Sequence, residues 1–406
     1  MKRIFKQLAL CGIALVAASQ VVLAAPSGFV RSSSLMVDQA EIAAVSGKGD
    51  KLLVGRGKAG VALVGLENLR ALYIESEMKF DSPVTAVAIQ NGKQNLVGLE
   101  NGNLLVLDLK GKKILKTYNL NKKIVDIAFY NNSKKAILVG DGQITLADFS
   151  KGLTEGTFSP LAFDLKSVTG ARNTDRPDPV RVTVSNEKNI AAVSLQANNS
   201  ILFIDLKEGS IQKIMPLGTV MHLADLKRDG HVRLEESFEG RPEPSGLALS
   251  PKGDFLYTAN GGSPKNSPSE NGVWSGGRNY AVYDIEKNRM AFDSFDKLEQ
   301  SAALVGAYLD SQSEIRGIDP SDAAIGFVDS TPVLAIATRQ ANGVFFLTLK
   351  NPENPFYLGL TASAGRGSAQ VHYLNGREAF LSVDAIDGFL SIYTEIDVRR
   401  ETGAGH

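Results

Sequence analysis

Cysteine is almost absent from this sequence, and its scarcity excludes several kinds of chemistry. The single cysteine, Cys11, falls within the first 24 residues of a 406-residue chain. In that segment basic residues at positions 2, 3 and 6 precede an uncharged stretch that ends in a small-residue cleavage pattern at Ala24. We therefore predict a signal peptide cleaved after Ala24 and a periplasmic or secreted mature chain. Such a chain has no disulfide, no thiolate nucleophile and no haem-attachment motif.

Long apolar runs, charge excess and histidine are also lacking. No segment after the leader is long and apolar enough to span a membrane. Basic and acidic residues balance at 44 each and form no basic stripe, so we expect no nucleic-acid partner. The four histidines lie in no HExxH pattern, and GxSxG is missing as well. Catalytic residues are therefore unknown, the sequence leans against an enzyme, and we predict neither haem nor a nucleotide cofactor.

What the sequence does contain is a repeated unit of short apolar strands separated by Asn-Gly or Asp-Gly turns. Residues 84–118 show it, with turns at Asn91-Gly92 and Asn101-Gly102. Asn-Gly supplies the positive φ angles that a two-residue hairpin requires. The strongest internal match aligns residues 176–185 with residues 241–250 without a gap. Units of about 50 residues predict an all-β, seven-bladed β-propeller with loop insertions, and a large β-sandwich is the alternative.

The predicted domain organisation is one propeller over residues 25–400 and a tail over 401–406. Blades are expected to start near residues 38, 81, 122, 176, 241, 317 and 366. We expect Phe29 to Met36 to close the ring as an outer strand beside the C-terminal blade.

Four segments depart from the repeat and are predicted to be insertions, at residues 150–175, 218–240, 261–279 and 296–316. The last has Leu298, Ala302, Val305 and Leu309 at helical spacing, which predicts a short helix packed on the propeller. Insertion 261–279 holds the only tryptophan, Trp274, which could contact a ligand or pack on its own sheet.

One insertion contains a partial match to a twelve-residue calcium loop. Asp225, Asp229 and Glu236 take positions 1, 5 and 12, and His231 offers its backbone carbonyl. Lys227 stands at position 3, where an oxygen ligand belongs. The sequence thus leaves two interpretations open, a Ca²⁺ site or a solvated turn.

A second set of charges lies where the innermost strand of a blade begins, at one mouth of the central channel. The candidate ligand-binding residues are Arg176, Asp178, Arg241, Glu243, Arg316 and Asp319. Carboxylates there could hold a cation and guanidiniums a phosphate or carboxylate. The charges could instead pair with one another and brace neighbouring blades.

Several of these stretches resemble the choice-of-anchor I family, propellers similar to mesenchyme-specific cell-surface glycoprotein and more loosely to YVTN and WD40 repeats. The matching stretches are residues 37–45, the Asp178-Pro179 strand start, 194–199, 216–218, 227–230 and 258–260. After Asn260 the chain has Gly-Gly-Ser where the family tends to carry Glu-Gly-Asp. The resemblance implies an exported propeller without a settled reaction, and more distantly phosphatase-like or esterase-like proteins.

Three functions follow as hypotheses. The first is a non-catalytic binding module for a partner protein or a small ionic ligand, with calcium as a stabilising ion. The second is a metal-dependent phosphoesterase or esterase-like hydrolase that uses carboxylates at the channel mouth. The third is an accessory subunit of a periplasmic redox enzyme.

Overall fold

The computed structural model describes residues 28–90 and 94–396, which fold almost wholly into β-strands. They form 32 strands in eight four-stranded sheets. The predicted leader, the Asn91-Gly92 turn and the tail lie outside the described residues. We number as sheets 1 to 7 those that are antiparallel throughout, and call the eighth the mixed sheet.

The strands are as follows in chain order. The first is β1 (Phe29–Met36), and sheet 1 holds β2 (Ile42–Val45), β3 (Lys51–Gly55), β4 (Val61–Gly65) and β5 (Tyr73–Met78). Sheet 2 holds β6 (Val84–Gln90), β7 (Gln94–Leu99), β8 (Asn103–Asp108) and β9 (Ile114–Asn119), and sheet 3 holds β10 (Asp126–Tyr130), β11 (Lys135–Gly140), β12 (Gln143–Asp148) and β13 (Thr157–Leu161). Sheet 4 holds β14 (Pro179–Ser185), β15 (Ile190–Leu195), β16 (Ser200–Asp205) and β17 (Ser210–Pro216).

The remaining strands complete three ring sheets and the mixed sheet. The mixed sheet takes β18 (Val220–Ala224), β19 (Glu236–Arg241), β22 (Ser269–Glu270) and β23 (Val273–Ser275), and sheet 5 takes β20 (Gly246–Leu249), β21 (Phe255–Ala259), β24 (Tyr280–Asp284) and β25 (Arg289–Asp293). Sheet 6 holds β26 (Pro320–Val328), β27 (Thr331–Thr338), β28 (Gly343–Thr348) and β29 (Phe356–Ala362), and sheet 7 holds β30 (Ser368–Leu374), β31 (Ala379–Asp384), β32 (Phe389–Glu395) and β1. One α-helix, α1 (Lys297–Leu304), and 3-10 turns at Gly57–Ala59, Leu153–Glu155, Gln196–Asn198 and Asp310–Gln312 complete the described elements.

The apolar core lies between sheets rather than inside any one of them. A separate cluster of buried aliphatic and aromatic side chains fills the space between each pair of sheets that are neighbours in sequence. Another joins sheet 7 to sheet 1, whose first strands, β30 and β2, also contact each other. Stacking of this kind buries both faces of each sheet. The predicted all-β propeller is therefore confirmed, whereas its count of seven blades stays a prediction because the described residues form eight four-stranded sheets.

The ring closes through the N-terminal strand. β1 pairs antiparallel with β32, so sheet 7 takes its outer strand from the other end of the chain. Phe29 anchors this strand, because its buried ring stacks on Phe346 with the ring centroids 4.0 Å apart. The predicted closure by Phe29 to Met36 is confirmed, and it leaves no unpaired edge on β32.

The insertions behave differently from their prediction as loops. Segments 218–240 and 261–279 supply all four strands of the mixed sheet, in which β19 and β23 run parallel. The predicted insertion 150–175 contains β13, the outer strand of sheet 3, so only its second half departs from the repeat. The predicted helix is confirmed in part as α1, with Leu298 and Ala302 buried, whereas Val305 and Leu309 lie beyond its end and are exposed.

Connectivity places the insertions on one face of the ring. In an antiparallel four-stranded sheet, the connections after the second and fourth strands lie at the end where the first strand begins. The mixed sheet, α1 and residues 162–178 are all connections of this kind. We call this side the insertion face, and the side where first strands end the hairpin face. Among the described residues, no helix is long and apolar enough to cross a membrane.

Candidate functional site

The predicted channel-mouth carboxylates are buried at the insertion face. Asp178, Glu243 and Asp319 each stand directly before a proline at the start of a first strand, and their exposed fractions are 4%, 0% and 5%. Glu243 and Asp319 adopt positive φ angles of 42° and 50°, which side-chain-bearing residues seldom do. A buried charge on a strained backbone persists only where several hydrogen-bond or ion-pair partners hold it in place.

Glu243 receives those partners mainly from insertion 261–279. Its Oε2 accepts hydrogen bonds from the Ser263 amide at 3.0 Å and the Ser275 hydroxyl at 2.5 Å. Its Oε1 accepts from Asn266 Nδ2 at 2.8 Å and from Arg241 Nε at 3.3 Å. Both carboxylate oxygens are thus used to hold the insertion closed over the mouth.

The other mouth residues are engaged in the same way. Asp178 pairs with Lys265 Nζ at 2.5 Å, and Arg316 donates to the Gly262 carbonyl at 2.7 Å. Asp319 lies 3.5 Å from an Arg339 nitrogen, whereas the Arg176 side chain is exposed. The geometry favours the bracing interpretation, although ligand binding by these residues stays a prediction.

Close packing accounts for the Gly-Gly-Ser sequence after Asn260. A Cβ atom on Gly261 would lie 2.3 Å from the Pro320 carbonyl oxygen and 2.4 Å from Asp319 Oδ1. Gly262 has a φ of 88° and meets the backbone of Ser275. A side chain at Gly261, where the family tends to carry Glu, would therefore clash with the mouth, so the packing requires glycine there.

We expect Glu243→Ala to release insertion 261–279 and to lower the free energy of unfolding by about 3 kcal/mol, because several buried donors lose their acceptor. Hydrogen exchange at residues 263–275 measures the local release. Glu187→Ala, at an exposed position, is the control and should change neither quantity. Unchanged exchange in Glu243→Ala would contradict the bracing role.

The predicted calcium loop is the connection between β18 and β19. Asp225 is buried, and its Oδ2 accepts from the Ser313 hydroxyl at 3.0 Å. Asp229 pairs with Arg233 at 2.9 Å, and Glu236 pairs with Lys227, whose ammonium holds the pKa of that carboxyl below its usual range.

These side chains do not converge on one point. His231 is exposed, and its amide donates to Asp229 Oδ1 at 3.0 Å. Within the described part of the chain, no group of three or more His, Cys, Asp or Glu side chains is placed to hold a metal ion. Calcium binding stays a prediction, and it requires Asp229 and Glu236 to leave their basic partners. Melting with chelator and with millimolar calcium, in wild type and Asp229→Ala, tests it.

Under the mixed sheet lies a buried arginine that the sequence analysis missed. Arg278 is 1% exposed and donates to the carbonyls of Asp225 at 3.0 Å and Ser313 at 2.7 Å. Its guanidinium lies 4.9 Å from the ring centroid of Phe238 and 5.0 Å from that of Trp274. Trp274 therefore packs on its own sheet and on this cation.

A second missed constellation lies in the channel, on the innermost strands. Arg181 of β14 has nitrogens 3.9 Å from Asp126 Oδ2 and 3.7 Å from Asp322 Oδ1. Its Nε is buried without a hydrogen-bond partner, so charge rather than hydrogen bonding joins the three groups. Asp126 and Asp322 instead accept the amides of Val182 at 2.9 Å and Val371 at 3.2 Å on the next sheet.

Burial controls protonation in this channel layer. It raises the pKa of Asp126 and of Asp322, and the Arg181 charge opposes that rise. Burial, reinforced by the same arginine, lowers the pKa of neighbouring His372 to about 4. The histidine is therefore neutral at pH 7, and the layer combines one cation with two carboxyls.

The repeat itself contained a signal for this layer. Arg181 and Asp322 each lie three residues after the acidic residue of the strand start, and the gapless match sets Gly246 at the equivalent place in sheet 5. Aligning strand starts across all the blades, rather than two of them, would have placed these residues in one ring.

Comparison with known proteins agrees with this architecture. Residues 162–275 match the family model of the choice-of-anchor I domain. The predicted resemblance to the choice-of-anchor I family is confirmed. The matched segment begins after sheet 3 and ends in β23, so it includes Asp178, Glu243 and Trp274. No curated protein matches the chain by sequence.

Solved structures show the same fold. The β-propeller domain of Cps50 (Swd1) from Myceliophteria thermophila is 10% identical with a TM-score of 0.62, and the match covers 91% of this chain and 100% of that one. Hydrazine synthase from Kuenenia stuttgartiensis is 12% identical with a TM-score of 0.61, covering 90% and 98%. At these identities the likeness concerns the propeller alone.

Proposed function

We propose that this chain is an exported, non-catalytic binding module that takes a partner protein on its insertion face. The observation that carries the proposal is the concentration of exposed apolar side chains on the insertions. Met221 and Leu223 of β18 are 62% and 48% exposed, and Leu304 and Val305 at the end of α1 are 87% and 64% exposed. Apolar groups gathered on one side of a protein are typical of protein–protein contacts.

We favour a protein over a small ionic ligand because the carboxylates at the channel mouth are already paired. Glu243 and Asp178 already hold hydrogen bonds and ion pairs from insertion 261–279. A phosphoesterase at this mouth would need carboxylates free to bind metal, so the geometry favours it less. The redox-accessory hypothesis draws only on the fold likeness to hydrazine synthase.

Capture from periplasmic extract with matched surface variants tests the proposal. Leu304→Glu with Val305→Glu places two charges on the insertion face, and Ile114→Glu with Leu115→Glu does the same on β9, where both residues are also exposed. We expect wild type and the β9 variant to capture the same partner protein, as detected by cross-linking. The insertion-face variant should not capture it. Recovery of the same proteins by all three, or of none, would contradict the proposal.

A further inference from the structure

The hairpin face carries a cavity that plays no part in the proposed function. It has a volume of about 570 Å³ and lies between sheets 3 and 4, where their first strands end. Its polar lining comprises Asn131, Asn132, Asn186 and Asn189 together with Lys135 and Lys207. This volume lies within the range of small-ligand pockets.

Donors in this cavity are free to bind. No other described residue makes a hydrogen bond or ion pair with the ammonium of Lys135 or that of Lys207. Asp148, the cross-strand neighbour of Lys135, accepts the Ser150 amide at 2.8 Å and does not line the cavity; the bonds from Ser150 and the Lys135 charge lower the pKa of its carboxyl. No carboxylate is among the lining residues, so the site carries positive charge.

Three consecutive residues beside the cavity adopt left-handed backbone conformations although each carries a side chain. Asn131, Asn132 and Ser133 follow one another with φ angles of 50°, 52° and 60°. Glycine would adopt this conformation without cost, and most other hairpin turns with positive φ contain one. Asn131 is further fixed because its amide donates to Asn186 Oδ1 at 2.9 Å. Strain retained next to a cavity points to a use for the side chains.

A second cavity lengthens the site toward the channel. It has a volume of about 350 Å³ and shares Tyr130, Asn132 and Asn186 with the first. Its exposed lining is more polar than apolar, although Ile89 and Phe129 at the ends of first strands contribute to it. The two cavities together form a trough that suits an elongated ligand rather than a single small ion.

We propose that this trough binds an acidic oligosaccharide. Each asparagine amide both donates and accepts hydrogen bonds, as vicinal sugar hydroxyls do. The two unpaired ammonium groups match carboxylates spaced along the chain. The Phe129 ring in the second cavity offers a surface for the non-polar face of one sugar ring.

The test is isothermal titration of the full chain with trigalacturonate at low salt, with maltotriose and inorganic phosphate as comparison ligands. We expect binding of trigalacturonate and none of maltotriose. The double variant Lys135→Gln, Lys207→Gln should weaken binding at least tenfold. Lys252→Gln with Lys350→Gln, which removes two exposed lysines from turns on the same face, should leave the affinity unchanged.

Asn132→Gly separates a binding role from a structural one. Relief of the left-handed strain should hold or raise the melting temperature, while loss of the amide should weaken trigalacturonate binding. Absent binding, equal binding in the Lys135→Gln, Lys207→Gln variant, or an unchanged affinity in Asn132→Gly would overturn the proposal. Phosphate bound as tightly as the trimer would overturn the sugar assignment. None of these outcomes bears on partner capture by the insertion face.

Discussion

Replacing Arg181 with methionine should lower the free energy of unfolding by about 3 kcal/mol at pH 7, because two largely buried carboxylates lose the cation between them. The guanidinium lies within 4 Å of Asp126 and Asp322 but makes no hydrogen bond to either through Nε. Its stabilising effect is therefore electrostatic. Methionine keeps much of the volume, so the loss reports charge rather than a cavity.

The pH dependence of this variant distinguishes charge from packing. A carboxyl whose pKa is raised in the folded state binds more protons folded than unfolded, so stability rises as pH falls through the folded pKa toward the unfolded value. Burial already raises the pKa of Asp126 and Asp322, and removal of Arg181 raises both further. The deficit of Arg181→Met should therefore shrink between pH 7 and pH 5.

His372 works in the opposite direction in the wild type. Its folded pKa of about 4 lies below the usual value of 6.5, so stability is lost as pH falls from 6.5 through 4. Arg181 contributes to that lowering, and the variant should therefore protonate His372 at a higher pH. Both effects reduce the difference in the free energy of unfolding between variant and wild type at acidic pH.

Urea unfolding at pH 7 and pH 5 measures these differences. Arg176→Met removes an exposed guanidinium five residues away, and we expect it to change stability by less than about 0.5 kcal/mol. Adding Asp126→Asn and Asp322→Asn to Arg181→Met should restore part of the loss. A deficit of equal size at both pH values would assign the effect to packing.

The propeller could be predicted from the sequence because each repeat carries the turn and strand pattern that specifies its own blade. Asn-Gly and Asp-Gly turns, apolar strands and the gapless match between residues 176–185 and 241–250 act locally within one blade. Closure by β1 could also be predicted, since the C-terminal repeat supplies only three strands. These features depend on short-range pattern.

The mixed sheet could not be predicted in the same way. Its strands come from two insertions, and β22 and β23 are two and three residues long. The β19–β23 pairing depends on where sheets 4 and 5 hold the ends of each insertion, which no local pattern encodes. For the same reason, the charges at the strand starts left ligand binding and bracing both open, whereas insertion 261–279 folds over Glu243 and Asp178 and occupies their hydrogen-bonding groups.

Arg278→Met should lower the free energy of unfolding by about 4 kcal/mol, with the loss concentrated in the mixed sheet. Removal of the guanidinium leaves the carbonyls of Asp225 and Ser313 without their donor in a buried site. It also ends the contact with the rings of Phe238 and Trp274. Hydrogen exchange should rise in β18 and β19 more than in the ring sheets, because the ring sheets keep their own cores.

The partner variant Glu299→Gln should have a much smaller effect. Glu299 is fully buried, with an oxygen 3.9 Å from Arg278, and burial raises its pKa despite that positive charge. Glutamine keeps the shape of the side chain, and Arg278 keeps both of its carbonyl acceptors and its two aromatic contacts, so we expect a smaller loss than in Arg278→Met. Arg233→Met, which removes an exposed arginine from the connection between β18 and β19, serves as the control. Equal losses in Arg278→Met and Arg233→Met would contradict the anchoring role, because Arg278, unlike Arg233, bonds the segment after α1 through the Ser313 carbonyl.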